Sequence, residues 1–92
     1  MLIKSSIAKK HLSSFTNWKI KQKEISKIFI FVNFLEAIAF VKKVSVRAEK
    51  MNHHPDIDIR YNMVKIILST HTEGGITKKD IELAKKIEKI KL

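Results

Sequence analysis

The spacing of apolar residues changes several times along the chain, and each change predicts a new element of secondary structure. In residues 5–15 the apolar side chains recur at helical spacing, which predicts a short amphipathic helix. Trp18 and Ile20 then alternate with lysines, which is typical of a half-buried strand, and the apolar run 28–31 predicts its hairpin partner. The first third of the chain is therefore predicted to be a helix followed by a β-hairpin.

A long apolar-rich segment predicts the central helix of the fold. Asn33 followed by Glu36 has the spacing of a capping box, which marks the first turn of a helix. The helix is predicted to run to about Met51, because Pro55 cannot extend it. The residues predicted to form its apolar face are Phe34, Ile38, Val41, Val44 and Ala48. A further set of apolar residues is predicted to widen this face: Leu35, Ala37, Ala39 and Phe40.

The second half of the chain again predicts two strands and a helix. Residues 57–61 alternate as a third strand, Asn62 begins a tight turn, and residues 64–70 have the period of a fourth strand. Thr77 and Asp80 have the spacing of a second capping box, which begins the last helix. The chain is therefore predicted to be a single domain over residues 1–92.

The order α-β-β-α-β-β-α predicts the fold class. Antiparallel strand pairs separated by helices favour an α+β two-layer sandwich, in which a four-stranded antiparallel sheet carries three helices on one face. A chain of 92 residues has a poor ratio of surface to volume, so further burial by self-association is expected.

Three of the four histidines stand in two short runs beside predicted element ends. His53 and His54 lie between the central helix and Pro55, and His71 closes the fourth strand, pointing away from its aliphatic face. Imidazole is the one side chain that exchanges protons near neutral pH without help from its surroundings. Two loops that carry imidazoles predict an acid–base active site, whereas His11 is assigned to a helix surface.

Composition narrows the classes of function. The net charge of +10 fits nucleic acid, an anionic membrane or an anionic substrate, but the lysines are spread along the whole chain, so a solvated surface is the preferred interpretation. The absence of cysteine excludes disulfides and thiolate chemistry. No apolar run approaches a membrane-spanning length, so no membrane association is expected and a cytoplasmic location is predicted.

The motifs and their spacing resemble the pterin-4a-carbinolamine dehydratases over nearly the whole chain. The residues that carry the resemblance are Trp18, Phe29, Phe31, Asn33, Phe34, Ala37, Glu49, His53, His54, Pro55, Tyr61, Ser69, Thr70, His71, Gly75, Thr77 and Asp80. The resemblance implies a small α+β enzyme that removes water from 4a-hydroxytetrahydropterin, gives quinonoid dihydropterin, and so supports pterin recycling. It implies homodimers or homotetramers, a pterin that enters as the substrate, and no cofactor.

The resemblance also implies roles for individual residues. His53, His54 and His71 line the pterin site as its catalytic residues. His53 and His71 are expected to transfer protons at the 4a-hydroxyl, while His54 binds the ring and assists with the N5 proton. The expected substrate-binding residues are Pro55, Thr70, Thr72 and Glu73, and the expected supporting residues are Glu49 and Asp80.

Simpler interpretations stay open for several of these residues. Asp80 fits a capping box alone, Tyr61 fits a packed strand aromatic, and Glu49 fits an exposed residue near a helix end. A zinc site made of the three histidines is disfavoured, because catalytic zinc usually takes well-separated ligands that are themselves hydrogen-bonded. No metal ion is therefore expected.

One position departs from the family pattern, and two other functions stay open. Ile57 stands where the family commonly has tryptophan. The change affects the expected stacking on the pterin ring and the affinity for the substrate, and it does not affect the expected proton transfer. A non-enzymatic module that joins a protein partner through the same fold is the first alternative. A basic nucleic-acid binder is the second, and it is disfavoured because no aromatic residues are interleaved with the lysines.

Overall fold

The computed structural model describes residues 1–92 and confirms the predicted α+β class and element order. The elements are α1 (Ser5–His11), β1 (Lys19–Ile20), β2 (Ile25–Ile30), α2 (Phe34–Met51), β3 (Asp56–Arg60), β4 (Met63–Leu68), a 3₁₀ turn (His71–Glu73) and α3 (Lys78–Glu88). None of the three helices combines the length and the apolar character that crossing a bilayer requires.

The strands form one antiparallel sheet in the order β1-β2-β4-β3. Ile25 of β2 stands opposite Leu68 of β4, and Asp56 of β3 stands opposite Ile67 on the other side of β4. Along β4, buried residues such as Ile66 and Leu68 alternate with more accessible ones, so one face of the sheet contacts the core. Because β4 is central, the chain segments beyond its carboxyl end lie close to the start of β3.

The central helix α2 packs through only part of the predicted apolar face. Its buried residues are Ala37, Phe40, Val44 and Ala48. The prediction that Phe34 and Ile38 face the core is wrong, because their side chains are 47% and 38% exposed. Apolar residues surround most of the first half of this helix, so helical spacing alone cannot select the buried face.

The carboxyl end of α2 turns the chain sharply just before His53. The helix ends at Met51, as predicted, and Asn52 adopts a left-handed conformation with a φ of 48°. The N–H of His53 donates to the carbonyl of Ala48, which satisfies one of the free carbonyls of the last turn. This backbone motif ends the helix four positions ahead of Pro55, so the proline is not what ends it.

Several smaller boundaries differ from the predictions. α1 stops at His11 rather than at residue 15, β2 begins at Ile25 rather than at residue 28, and β4 stops at Leu68 rather than at residue 70. Tyr61 lies in the turn between β3 and β4 with a φ of 51° and is 67% exposed. The interpretation of Tyr61 as a packed strand aromatic is therefore wrong.

A polar cluster joins the first hairpin to the last helix. The indole N–H of Trp18 donates to Glu88 Oε1 at 3.0 Å, and the ammonium of Lys27 pairs with the same oxygen. The Lys27 and Glu88 side chains are only 11% and 14% exposed. Because these side chains are largely buried, water competes little for their hydrogen bonds. The cluster therefore holds the β1–β2 hairpin against α3.

Candidate active site

His53 and Asp80 form a buried pair between the end of α2 and the start of α3. His53 Nε2 lies 2.6 Å from Asp80 Oδ1, and the side chains are 10% and 0% exposed. From the sequence, a histidine in this loop is expected outside the core, and for His53 that expectation is wrong. Asp80 also accepts a hydrogen bond from the Thr77 N–H at 2.8 Å, as the predicted capping box requires. Asp80 is thus both a helix cap and the partner of an imidazole.

Two threonines complete the network around the Asp80 carboxylate. Thr70 Oγ1 lies 2.9 Å from Asp80 Oδ2 and 2.7 Å from Thr77 Oγ1, and Thr77 Oγ1 accepts from the N–H of Lys79 at 3.3 Å. A carboxylate only accepts, so the Thr70 hydroxyl donates to Asp80 and the Thr77 hydroxyl donates to Thr70. Three donors converge on two carboxylate oxygens, which fixes the orientation of the Asp80 side chain.

The contact with Asp80 also identifies the tautomer of His53. Because Asp80 Oδ1 accepts, the Nε2 of neutral His53 carries the proton, and Nδ1 carries the free lone pair. Nδ1 makes no hydrogen bond inside the protein, yet no buried polar side-chain atom lacks a partner. Nδ1 therefore reaches the solvent, and His53 presents a proton acceptor at the protein surface.

His71 follows Thr70 in the chain and lines an exposed cavity. The prediction that His71 closes a strand is wrong, because the residue begins the 3₁₀ turn His71–Glu73 beyond the end of β4. The cavity has a volume of about 230 Å³. Its lining residues are Lys23, Glu24, Asp56, Ile67, Ser69, His71 and Gly74.

The structure brings the two histidine loops together through the sheet and through Asp80. Asp56, just beyond Pro55, stands opposite Ile67 in β4, and both residues line the cavity with His71. The chain of hydrogen bonds from His53 through Asp80 ends on Thr70, the residue that precedes His71. The turn after α2 and the turn after β4 are thus neighbours.

His54 and Glu49 form a separate, exposed pair. His54 Nε2 lies 2.5 Å from Glu49 Oε2, and the side chains are 55% and 76% exposed. Glu49 therefore has the histidine partner that its place near the end of α2 favours. Pro55 is half-buried directly after His54, and all peptide bonds of the chain are trans.

Of the predicted site residues, only His71 lines the cavity of about 230 Å³, and neither His53 nor His54 does. Thr72 is exposed in the 3₁₀ turn. Glu73 pairs with the amino group of Met1 and lines a different cavity of about 610 Å³, which also contains Thr77 and Lys78. Glu73 is thus directed away from His71.

Sequence reasoning misses all three charged residues that line the cavity with His71. Lys23, Glu24 and Asp56 carry charges there, yet none of them stands in a histidine-containing motif. Lys23 and Glu24 come from the β1–β2 turn, which is far along the chain from His71, and the Ser69 hydroxyl donates to the Lys23 carbonyl at 2.7 Å. The only sequence signal available was the proximity of Asp56 to the His-His-Pro run.

Two further features limit the chemistry of the site. No three His, Cys, Asp or Glu side chains come together in an arrangement that could hold a metal ion. Ile57 lies in β3 opposite Ile66 on the core side of the sheet and packs against the core. The side chain at position 57 is therefore directed to the core, and it does not line the His71 cavity.

Comparisons with known proteins agree on one family. The family model described as pterin 4 alpha carbinolamine dehydratase matches residues 2–90. A protein of Prochlorococcus marinus, provisionally named pterin-4-alpha-carbinolamine dehydratase, is 49% identical over 90 residues, which cover 94% of this chain and 95% of that protein. A relative from Sulfolobus acidocaldarius with the same provisional name is 48% identical over 82 residues, 89% of this chain and 90% of its own.

Two solved structures are similar to this chain. The crystal structure of a transcriptional coactivator/pterin dehydratase from Brucella melitensis superposes with a TM-score of 0.88 and 31% identity, over 96% of both chains. A pterin dehydratase-like protein described as a RuBisCO assembly factor in the alpha-carboxysome has a TM-score of 0.68 over 80% of this chain and 88% of its own. At 21% identity, this second likeness concerns the fold alone.

Proposed function

The chain belongs to the pterin-4a-carbinolamine dehydratase family, and we propose that it dehydrates a 4a-hydroxytetrahydropterin to the quinonoid dihydropterin by histidine acid–base catalysis. The observation that carries the proposal is the buried Asp80–His53 pair, whose Nδ1 is open to solvent and whose hydrogen bonds reach Thr70, the residue before His71. A carboxylate that orients an imidazole is the usual arrangement of a positioned general base.

The reaction needs one proton donor and one proton acceptor. The hydroxyl on C4a accepts a proton and leaves as water when the C4a–O bond breaks. N5 loses its proton, and the electron pair of the former N5–H bond supplies the new C4a=N5 double bond. Atoms and charge balance without a redox partner, so the pterin enters as the substrate and no cofactor is required.

The geometry supports a division of roles between His53 and His71. We assign His53 as the base at N5, because its Nδ1 carries the lone pair and Asp80 stabilises the imidazolium that forms. His71 is the proton donor to the 4a-hydroxyl, because it is exposed in the wall of the cavity. His54, which is exposed and paired with Glu49, contacts the ring.

The cavity suits the polar edge of a pterin. A pterin presents N–H donors on its amide-like edge, and the Glu24 and Asp56 carboxylates beside His71 supply acceptors. Pro55 and Thr72 contribute through the backbone of the two loops. In the cell, the quinonoid product would then be reduced, which returns the tetrahydropterin to the reactions that use it.

The amino end of α2 supports self-association as a homodimer or homotetramer. Phe34, Leu35 and Ile38 are 47%, 77% and 38% exposed and lie on one side of the helix. A cluster of large apolar side chains on so small a chain marks a contact surface, and a second copy of the chain would cover it. The same surface favours the second candidate function, a non-enzymatic module that binds another protein.

The test of the proposed function is the dehydration of synthetic 4a-hydroxytetrahydropterin, followed by the absorbance of the quinonoid product. The wild-type protein is expected to exceed the buffer rate, and His71→Ala is expected to lose about a hundredfold or more of that excess. His11→Ala is the matched control, because His11 is an exposed histidine on α1. A wild-type rate equal to that of buffer contradicts the proposal and favours the binding module.

A further inference from the structure

Thr70 makes hydrogen bonds that connect it to both histidine loops. Its side chain is buried, with 6% of the residue exposed, and its hydroxyl lies within hydrogen-bond distance of both Asp80 and Thr77. The hydroxyl donates its single proton to Asp80 Oδ2 and accepts from the Thr77 hydroxyl. The hydroxyl is therefore engaged inside the protein and turned away from any ligand in the cavity.

The backbone of Thr70 holds the loop that carries His71. Its carbonyl accepts from the N–H groups of Glu73 and Gly74, both at 3.0 Å. Its N–H donates to the Gly75 carbonyl at 2.8 Å, so Thr70 and Gly75 form an isolated β-bridge that closes the 3₁₀ turn. Gly74, with a φ of 76°, allows the tight return. The position of His71 thus depends on the backbone of Thr70.

The side chain of Thr70 acts on His53 by another route. Asp80 Oδ2 receives two donors, the Thr70 hydroxyl and the Thr77 N–H, which leaves Oδ1 directed at His53 Nε2. Without the Thr70 hydroxyl, Oδ2 would keep one donor, and the Thr77 hydroxyl would lose its acceptor. The carboxylate would then be held by the Thr77 N–H and His53 alone, so the orientation of the His53 imidazole would be less firmly fixed.

We propose that Thr70 is a positioning residue that sets the orientation of His53, through Asp80, and the place of His71, through the 3₁₀ turn. This inference rests on the proposed dehydratase function, and it replaces the expectation that Thr70 is a substrate-binding residue. A threonine that touches no substrate determines the relative placement of the acid and the base. A displacement of about 1 Å between catalytic groups can reduce a rate about a hundredfold.

The test compares Thr70→Val, which keeps the shape but removes the hydroxyl, with Thr70→Ser, which keeps the hydroxyl. Thr70→Val is expected to lower kcat by about tenfold to a hundredfold and to change KM by less than about threefold. Thr70→Ser is expected to stay within about threefold of the wild type in both constants. Thr16→Val is the matched control, because Thr16 is exposed beyond α1.

A spectroscopic signature separates positioning from a purely structural role. In the ¹⁵N spectrum of the imidazoles, wild-type and Thr70→Ser proteins should show His53 protonated on Nε2, and Thr70→Val should show a mixture of tautomers. In the wild type, the hydroxyl proton of Thr70 should be protected from exchange with water, a measurement that does not depend on how any variant folds. A freely exchanging hydroxyl, or a Thr70→Val protein with unchanged kcat and unchanged tautomer, overturns the inference.

The outcomes also distinguish this inference from the proposed function. If Thr70→Val raises KM and leaves kcat unchanged, the hydroxyl binds the pterin, and the positioning role is overturned. If the wild-type protein shows no dehydration at all, the proposed function fails. The tautomer comparison still decides in that case whether Thr70 orients His53.

Discussion

Asp80 Oδ1 and His53 Nε2 lie 2.6 Å apart, and the carboxylate is fully buried while the imidazole opens to solvent at one edge. The two residues are 27 positions apart in the chain and come from different helix ends. Burial protects this contact from competition by water, so the orientation of the ring is fixed in the absence of substrate. Such preorganisation is what a general base requires.

Asp80→Asn should reverse the tautomer of His53. Two of the three donors around the carboxylate meet Oδ2, so the single amide oxygen of asparagine would remain there and its NH₂ group would face His53 Nε2. His53 Nε2 must then accept, which moves its proton to Nδ1 and removes the proposed base. The dehydration rate is expected to fall about a hundredfold or more, with the loss mainly in kcat.

The control for this variant is Asp58→Asn, which changes an exposed carboxylate of β3 in the same way. It should leave the rate within about twofold of the wild type. An Asp80→Asn protein that is folded, keeps the wild-type kcat and shows His53 still protonated on Nε2 would show that Asp80 serves only as a helix cap.

His53→Ala and His71→Ala should differ in stability although both lose activity. Removal of the His53 ring leaves the buried Asp80 carboxylate with one donor fewer, so the free energy of unfolding should fall by about 1–3 kcal/mol. His71 is exposed, so His71→Ala should stay within about 0.5 kcal/mol of the wild type. Urea unfolding measures both. Equal stabilities for the two variants would argue against the buried pair.

Ile57→Ala should weaken the fold without weakening substrate binding. Ile57 packs against the core from β3, opposite Ile66, so truncation should cost about 1–2 kcal/mol, less than for a fully buried isoleucine. The KM for the pterin should change by less than about twofold, because the side chain lies on the core side of the sheet. A large rise in KM with unchanged stability would place Ile57 against the ring instead.

Leu35→Glu should reduce self-association. Leu35 is 77% exposed beside Phe34 on α2, and a charge placed in an apolar contact between subunits is costly. Sedimentation analysis is expected to show dimers or tetramers for the wild type and smaller species for the variant. Lys42→Glu, an exposed change farther along the same helix, controls for charge alone. A monomeric wild-type protein would contradict the expected assembly.

The fold was largely predictable because its signals are local. The capping residues Asn33 and Thr77 both accept from backbone N–H groups, and the change from period two to helical spacing marks the strands and helices. The apolar face of α2 was predicted too broadly, because only tertiary packing buries Ala37 and Phe40 and leaves Phe34 exposed.

The sequence predicts which residues belong to the candidate site better than it predicts the contacts between them. The His53-His54-Pro55 run and His71 stand out by residue type, but the burial of His53 depends on Asp80, which arrives from another helix. The occupied hydroxyl of Thr70 has no signal in the sequence, because threonine serves equally in caps, strands and ligand sites. Spacing predicts which loops carry chemistry, whereas the directions of the hydrogen bonds require coordinates.

The most direct test of joint catalysis by His53 and His71 is a double-mutant cycle on the dehydration rate. It compares the wild type, His53→Ala, His71→Ala and the double variant. If the two imidazoles act on one pterin in one step, each single variant should lose about a hundredfold or more, and the double variant should lose little beyond the larger single loss. Losses that multiply in the double variant, or a His53→Ala protein that is folded and fully active, would contradict the account.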